Sequence, residues 1–445
     1  MKKLTTKRSM LFYAISGMGV NMLNLMMGSY LCSALLIGGF GQDAIKNQTY
    51  IGKDLIIPAV WAVFALVAKI IDGIIDIPMA SFADGLRTKW GRRRPALLGG
   101  LALTLIFYLL FLVIPNKSGA SVLNTVYYGI VLCGFYCFYT LTMVTYYATF
   151  TEIVDNTADR NFISNVKSVC DIVYFILGYV VVRMLLNGLN VRIVALLSCI
   201  LALTMLIPMF LIKEPSNLEG ETGHVEKPLS LIESLKCTFK NKPYIIWMVV
   251  YSFMTLGVQL FLGGINEYFS YVGMNMIFVM MSAFAPVPFT LILYNKLLEK
   301  KGFGFAFRYV LVIFVVGMSA MGIAGFMPQG TAKTVMSIVT GVISSFAIGA
   351  QFAVAYAVPS QLAADEEKRT GVSNSAMYFA VQGLFAGVAS GIGTGVILTA
   401  LKGSESNPTG AIKYMTLISA AGCLVSLIFT WILPKSVIDM GKKEK

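Results

Sequence analysis

Lys69-Ile-Ile-Asp72-Gly-Ile-Ile-Asp76-Ile-Pro78 is where this sequence concentrates charge inside an apolar run. Spacings of three and four place Lys69, Asp72 and Asp76 on one face of a helix. Isoleucine and glycine fill the positions between them. Charge in a hydrocarbon setting costs several kcal/mol, so the stripe must face protein or a water-filled cleft. Two carboxylates roughly 6 Å apart on such a face repel, and a bound cation or a shared proton relieves the repulsion. The pair therefore titrates as a unit. Lys69 can neutralise one of them in a salt-bridge triad and still leaves one negative charge. The readings as a cation or proton site and as a structural triad are thus compatible.

A second pair, Lys167 and Asp171, again stands at i and i+4. It reads either as an ion pair steadying a helix end or as a cleft-facing lysine held in place by Asp171. Downstream of Asp76 comes a short basic loop, Asp84-Gly-Leu-Arg87-Thr-Lys89-Trp-Gly91-Arg92-Arg93-Arg94-Pro95. Asp84 can accept hydrogen bonds from Arg87, Arg92, Arg93 and Arg94 in a charge clasp that opens and closes. Glu152 with Arg160, and the run Asp365-Glu-Glu-Lys-Arg369, read as related clasps. Tyr139, Thr140, Tyr147, Tyr356 and Gln382 offer aromatic faces and polar edges of the kind that suit a sugar ring.

The elements that must hold these groups follow from composition. The chain has 445 residues, 57% of them hydrophobic and 13% charged, with a mean hydropathy of +0.75. A soluble domain carries about 25% charged residues and cannot hide so much apolar surface. The expected fold class is an all-α polytopic membrane protein of twelve transmembrane helices. A first span follows the basic N-terminus and runs to about 38. Others are predicted near 55–83, 95–114, 121–150, 164–186, 191–212, 244–266, 274–297, 308–327, 334–358, 372–400 and 411–433. Residues 1–212 then form an N-terminal six-helix bundle, 213–243 a linker, and 244–445 a C-terminal six-helix bundle. The first stretch is too long for the apolar region of a signal peptide.

With both termini inside, about 26 of the 35 Lys and Arg fall in inside segments, eight in outside loops, and Lys69 within a span. That asymmetry predicts a multi-pass protein of the cell membrane with cytoplasmic termini. It also accounts for the net charge of +13 without nucleic acid. His224, the sole histidine, lies in the linker, and no Ser/His/Asp set, metal cluster or phosphate loop points to an enzyme. The seven cysteines read as small core residues. Lys89-Trp-Gly91 is echoed by Lys300-Lys-Gly302, 211 residues on. Tyr147…Arg160 is echoed by Tyr356…Arg369, 209 residues on. A near-constant offset predicts parallel halves, the architecture of the major facilitator superfamily.

The run Lys69…Asp72…Asp76…Pro78, then Asp84…Gly91-Arg-Arg-Arg-Pro95, resembles the glycoside–pentoside–hexuronide:cation symporters, as does Tyr139-Thr140…Tyr146-Tyr147…Glu152…Arg160. The resemblance implies substrate symport driven by Na⁺, Li⁺ or H⁺, with no cofactor beyond the coupling cation. It implies that Asp72 and Asp76 are the cation-site carboxylates, and ligands of a metal ion if that ion is Na⁺. Thr140 matches the family's hydroxyl near the cation. Asn21 falls at a sugar-binding Asp, Tyr147 at a stacking Trp, Lys167 at or beside a sugar-binding Arg, and Gln382 near an eleventh-helix Lys. Three positions depart: Met143 replaces a second sugar-binding Asp, Ile75 replaces an Asn, and the Pro after Asp76 is displaced to Pro78. Losing two acidic anchors argues against α-galactosides. Losing an amide oxygen favours H⁺ over Na⁺. The expected partners are a glycoside-like small molecule and the bilayer, and a monomer suffices. The alternative is a facilitator or exporter of an amphipathic or drug-like molecule.

Overall fold

The computed structural model describes residues 4–40, 48–153, 157–214, 216, 241–370, 375–402 and 410–439. Some side chains in these helices lie outside the described set, including those of Asp84, Glu152, Arg160, Gln351 and Tyr356. Every regular element among the described residues is a helix. Among the described residues, eleven helical stretches are long and apolar enough to cross a membrane, and the helix over 58–85, interrupted at Ile75, adds a twelfth span that falls outside that set.

The chain divides into two compact units. In the first, span one is Lys7–Leu35, span two is Pro58–Ile74 continued by Asp76–Gly85, and span three is Arg93–Phe111. Span four is Val122–Glu152. Span five runs from Thr157–Ile176 through a π turn to Val182–Leu186, and span six is Val191–Leu211. In the second unit, span seven is Lys242–Gly263 continued by Ile265–Val272. Spans eight and nine are Met276–Lys301 and Phe303–Phe326. Span ten is the 40-residue helix Thr331–Thr370, which carries Pro359 inside it. Span eleven runs from Ser375–Ser390 to Leu398–Leu401, and span twelve is Ile412–Ile432.

Local chemistry starts several of these helices. Ser121 accepts a hydrogen bond from the Asn124 amide at 3.2 Å, and Asn190 accepts one from the Arg192 amide at 2.9 Å. Asn241 and Asn275 cap spans seven and eight in the same way. Each supplies an acceptor to a first-turn N–H that has no partner within its own helix.

The two units repeat one packing scheme. Span one packs on spans five and six, and span four on two and three. Span seven likewise packs on eleven and twelve, and span ten on eight and nine. Small residues allow the close approaches, as expected where lipid offers no hydrophobic drive between helices. A Cβ on Gly19 would lie 1.9 Å from the Leu201 carbonyl oxygen, and one on Gly257 2.6 Å from that of Ser419. Ser426 adds a hydroxyl bond across spans seven and twelve, donating to the Val250 carbonyl at 2.7 Å.

The echo between Gly91 and Gly302 is structural as well. Both have positive φ, +79° and +83°, at the turn into the third span of their unit. Each turn is pressed by the segment leaving the unit's last span: a Cβ would lie 2.4 Å from the Glu214 side chain at Gly91 and 2.8 Å from the Ile438 carbonyl at Gly302. Gly91→Ala is therefore expected to cost about 1–3 kcal/mol, from backbone strain and the clash together. Gly52 has φ +68° but open space around it, so Gly52→Ala carries the strain alone. Thermal unfolding of the purified variants should rank Gly91→Ala below Gly52→Ala; equal midpoints would contradict the crowded turn.

Span two occupies most of the stretch expected over 55–83, with one interruption of its helical ladder. It breaks at Ile75, one turn before Pro78. Proline has no N–H to give the Ile74 carbonyl, and its ring crowds that carbonyl, so the ladder opens there. The break falls between Asp72 and Asp76.

Candidate cation-coupling site

Span two brings Lys69 and Asp72 to the end of one helical segment and starts the next with Asp76. Lys69 Nζ donates to Asp72 Oδ2 at 3.3 Å. The same ammonium lies over the Tyr136 ring, 3.9 Å from its centroid, a cation–π contact in a partly buried setting. Thr140, one helical turn beyond Tyr136 on span four, donates from Oγ1 to Asp72 Oδ1 at 3.4 Å. Asp72 is thus held from both sides. Asp76 is half-buried and has no hydrogen bond or ion pair among the described residues.

A polar strip continues along span four. Tyr139 donates its hydroxyl to Asn21 Oδ1 on span one at 3.0 Å. Tyr147 is 39% exposed, with Lys167 Nζ 5.2 Å from its ring centroid. Lys167 in turn donates to Asp171 Oδ2 at 2.7 Å. The candidates Asn21, Lys69, Asp72, Asp76, Tyr139, Thr140, Tyr147 and Lys167 therefore line neighbouring stretches of spans one, two, four and five. Met143, at the family's acidic position, is buried.

The other candidates fall elsewhere. Gln382 is buried in the second unit, where its Oε1 accepts from Trp247 Nε1 at 2.8 Å. The Tyr356 side chain is outside the described residues, as are those of Asp84, Glu152 and Arg160, so the clasps built on them are not described. Of the basic loop, Arg87 is exposed, Arg92 and Arg94 are half-buried, and Arg93 is buried. Among the described residues Glu214 reaches this loop, where its Oε2 accepts from the Arg93 amide at 2.8 Å and caps span three.

Three further residues of weight were not singled out from the sequence. Tyr136 was readable as the position one turn before Thr140. The pair Glu267–Lys402 joins the end of span seven to the end of span eleven, with Lys402 Nζ 2.7 Å from Glu267 Oε1. Their side chains are 1% and 8% exposed. No group of three or more His, Cys, Asp or Glu suited to a metal ion occurs among the described residues.

Solved structures with the same arrangement include the nucleoside transporter NupG, with a TM-score of 0.61 and 16% identity over 96% of this chain and 99% of that one. A POT family transporter in complex with a thioalcohol-conjugated peptide gives a TM-score of 0.66 and 14% identity over 96% of each chain. At such identities the likeness establishes the fold alone, that of a multi-pass membrane protein. Residues 12–434 match the family described as MFS/sugar transport protein, and the chain belongs to that family of transporters. The family includes the glycoside–pentoside–hexuronide:cation symporters. An uncharacterised symporter from Synechocystis sp. (strain PCC 6803) is 28% identical over 131 residues, covering 28% of this chain. The match spans about a quarter (24%) of that relative's length.

Proposed function

We propose that this transporter is a cation-coupled symporter of a glycoside or related sugar, working by alternating access with H⁺ as the coupling ion. The observation that carries the reading is the division of labour between the two carboxylates. Asp72 is occupied by Lys69 and Thr140, while Asp76, one turn on, has no partner among the described residues. One unpaired carboxylate suffices for a proton. A hard metal cation wants several oxygen ligands, and Ile75 supplies no side-chain oxygen where the family has an amide. Asn21, Tyr139, Tyr147 and Lys167 supply the amide, hydroxyl, aromatic face and positive charge that a sugar's polar edge and apolar face call for. Lys167 admits an anionic sugar.

Coupling follows from charge. An empty Asp76 leaves a negative charge in the membrane interior, which opposes closure around it. Protonation removes that charge and helps order the sugar site, so proton and sugar raise each other's affinity. The empty and doubly loaded forms interconvert, and the half-loaded forms do so poorly. Both termini are assigned to the cytoplasm, and Asp84, Arg87, Arg92, Arg93, Arg94, Glu152 and Arg160 to the clasp on that side.

The test is uptake by vesicles containing the purified protein, offered a panel of labelled glycosides and hexuronides under an inward proton gradient or an inward Na⁺ gradient. Accumulation driven by protons without Na⁺ is expected for at least one sugar. Accumulation that needs Na⁺ and ignores pH would overturn the assignment of the ion. Movement of amphiphiles with no sugar accumulated under either gradient would overturn the assignment of the substrate.

A further inference from the structure

We propose that the first unit carries a binding site for an anionic glycerophospholipid, at the end of its bundle away from the N-terminus. There the last turns of span three and the first turns of span six leave a groove of about 500 Å³. Leu109, Val113, Ile193 and Leu196 give it an apolar lining, and Tyr50 and Arg192 line it too. Leu109 and Leu196 lie one helical turn deeper than Val113 and Arg192, so the groove runs from the interface into the hydrocarbon.

Two observations identify the occupant. Leu109, Ile193 and Leu196 are apolar and belong to membrane spans, yet Leu109 and Leu196 are 43% and 49% exposed. They face the bilayer, and an acyl chain is what fills such a groove. Arg192 supplies the second observation. Its guanidinium sits 5.8 Å from the centroid of the Tyr50 ring, and no carboxylate pairs with it among the described residues. Tyr50 is itself fixed, donating its hydroxyl to the Phe111 carbonyl at 3.1 Å. The first amides of span six are already used: Val191 donates to Gln48 Oε1 at 2.7 Å and Arg192 to Asn190 Oδ1 at 2.9 Å. The recognition element is therefore the side-chain charge, not the helix end. A guanidinium held by one ring, at the level where headgroups lie, matches a phosphodiester in geometry and sign. One lipid satisfies both features, its phosphate on Arg192 and one acyl chain between spans three and six.

Native mass spectrometry of the purified full chain tests this, using phosphatidylglycerol and phosphatidylcholine with identical acyl chains as probes. The wild type should retain phosphatidylglycerol about fivefold more strongly, the effect of one basic side chain near an anionic headgroup. Arg192→Gln should erase the preference and Arg192→Lys should keep most of it. Leu196→Trp, which fills the groove, should lower retention of both lipids. Equal retention of the two lipids by the wild type would overturn the proposal. So would a preference that survives Arg192→Gln, or retention unmoved by Leu196→Trp.

Discussion

Asp76→Asn is expected to abolish concentrative uptake and to leave net substrate movement slow, while exchange of substrate between the two sides persists. Asparagine is close in size to a protonated aspartate and cannot lose a proton. It therefore mimics the loaded carboxylate permanently, and the loaded form still interconverts. The partner position behaves differently. Asp72 is held by Lys69 at 3.3 Å and Thr140 at 3.4 Å. Asp72→Asn leaves Lys69 without its counter-charge, so it should impair exchange as well as accumulation. Measuring net uptake and counterflow side by side in vesicles separates the two variants. Full accumulation by Asp76→Asn, or loss of its exchange together with correct folding, would contradict the assignment of the carrier to that carboxylate.

The largest effect on stability is expected in the second unit, far from any sequence motif. Lys402→Met removes the ammonium that lies 2.7 Å from the Glu267 carboxylate, whose side chain is 1% exposed. Breaking a buried pair from one side costs ~3–5 kcal/mol, because the other charge remains in a medium that cannot solvate it. The double variant Glu267→Gln/Lys402→Met removes both charges and should recover most of the loss, since a buried pair is worth little against neutral groups of similar volume. Thermal unfolding in detergent reads this directly: a large drop for Lys402→Met and a near-wild-type midpoint for the double variant. Equal drops for both would mean that the pair is not energetically coupled.

What could be read from the sequence depended on whether the relevant contacts were local. Lys69, Asp72 and Asp76 stand three and four residues apart, so helix geometry alone puts them on one face, and Lys167–Asp171 follows the same rule. The all-helical, many-span architecture was legible because apolar length is itself a local property. The break at Ile75 was present in the sequence as Pro78, whose missing N–H opens the ladder one turn earlier. The contacts not read join distant segments. Glu267 and Lys402 are 135 residues apart, and each lies just beyond a span as the hydropathy pattern bounds it, where a charge looks like a loop charge. Gln382 was expected to face the substrate, but its carboxamide oxygen meets Trp247, also 135 residues away. Glu214 reads as the start of a polar linker, and only the fold brings it onto the amide of Arg93.

The central claim is that substrate and proton move together through Asp76. The most direct test is external pH in lightly buffered, de-energised cells expressing the protein, as each sugar of the panel is added without Na⁺. The account predicts a transient alkalinisation with the transported sugar, lost in Asp76→Asn. An alkalinisation of the same size in Asp76→Asn, or sugar entry with no pH change at all, would contradict it.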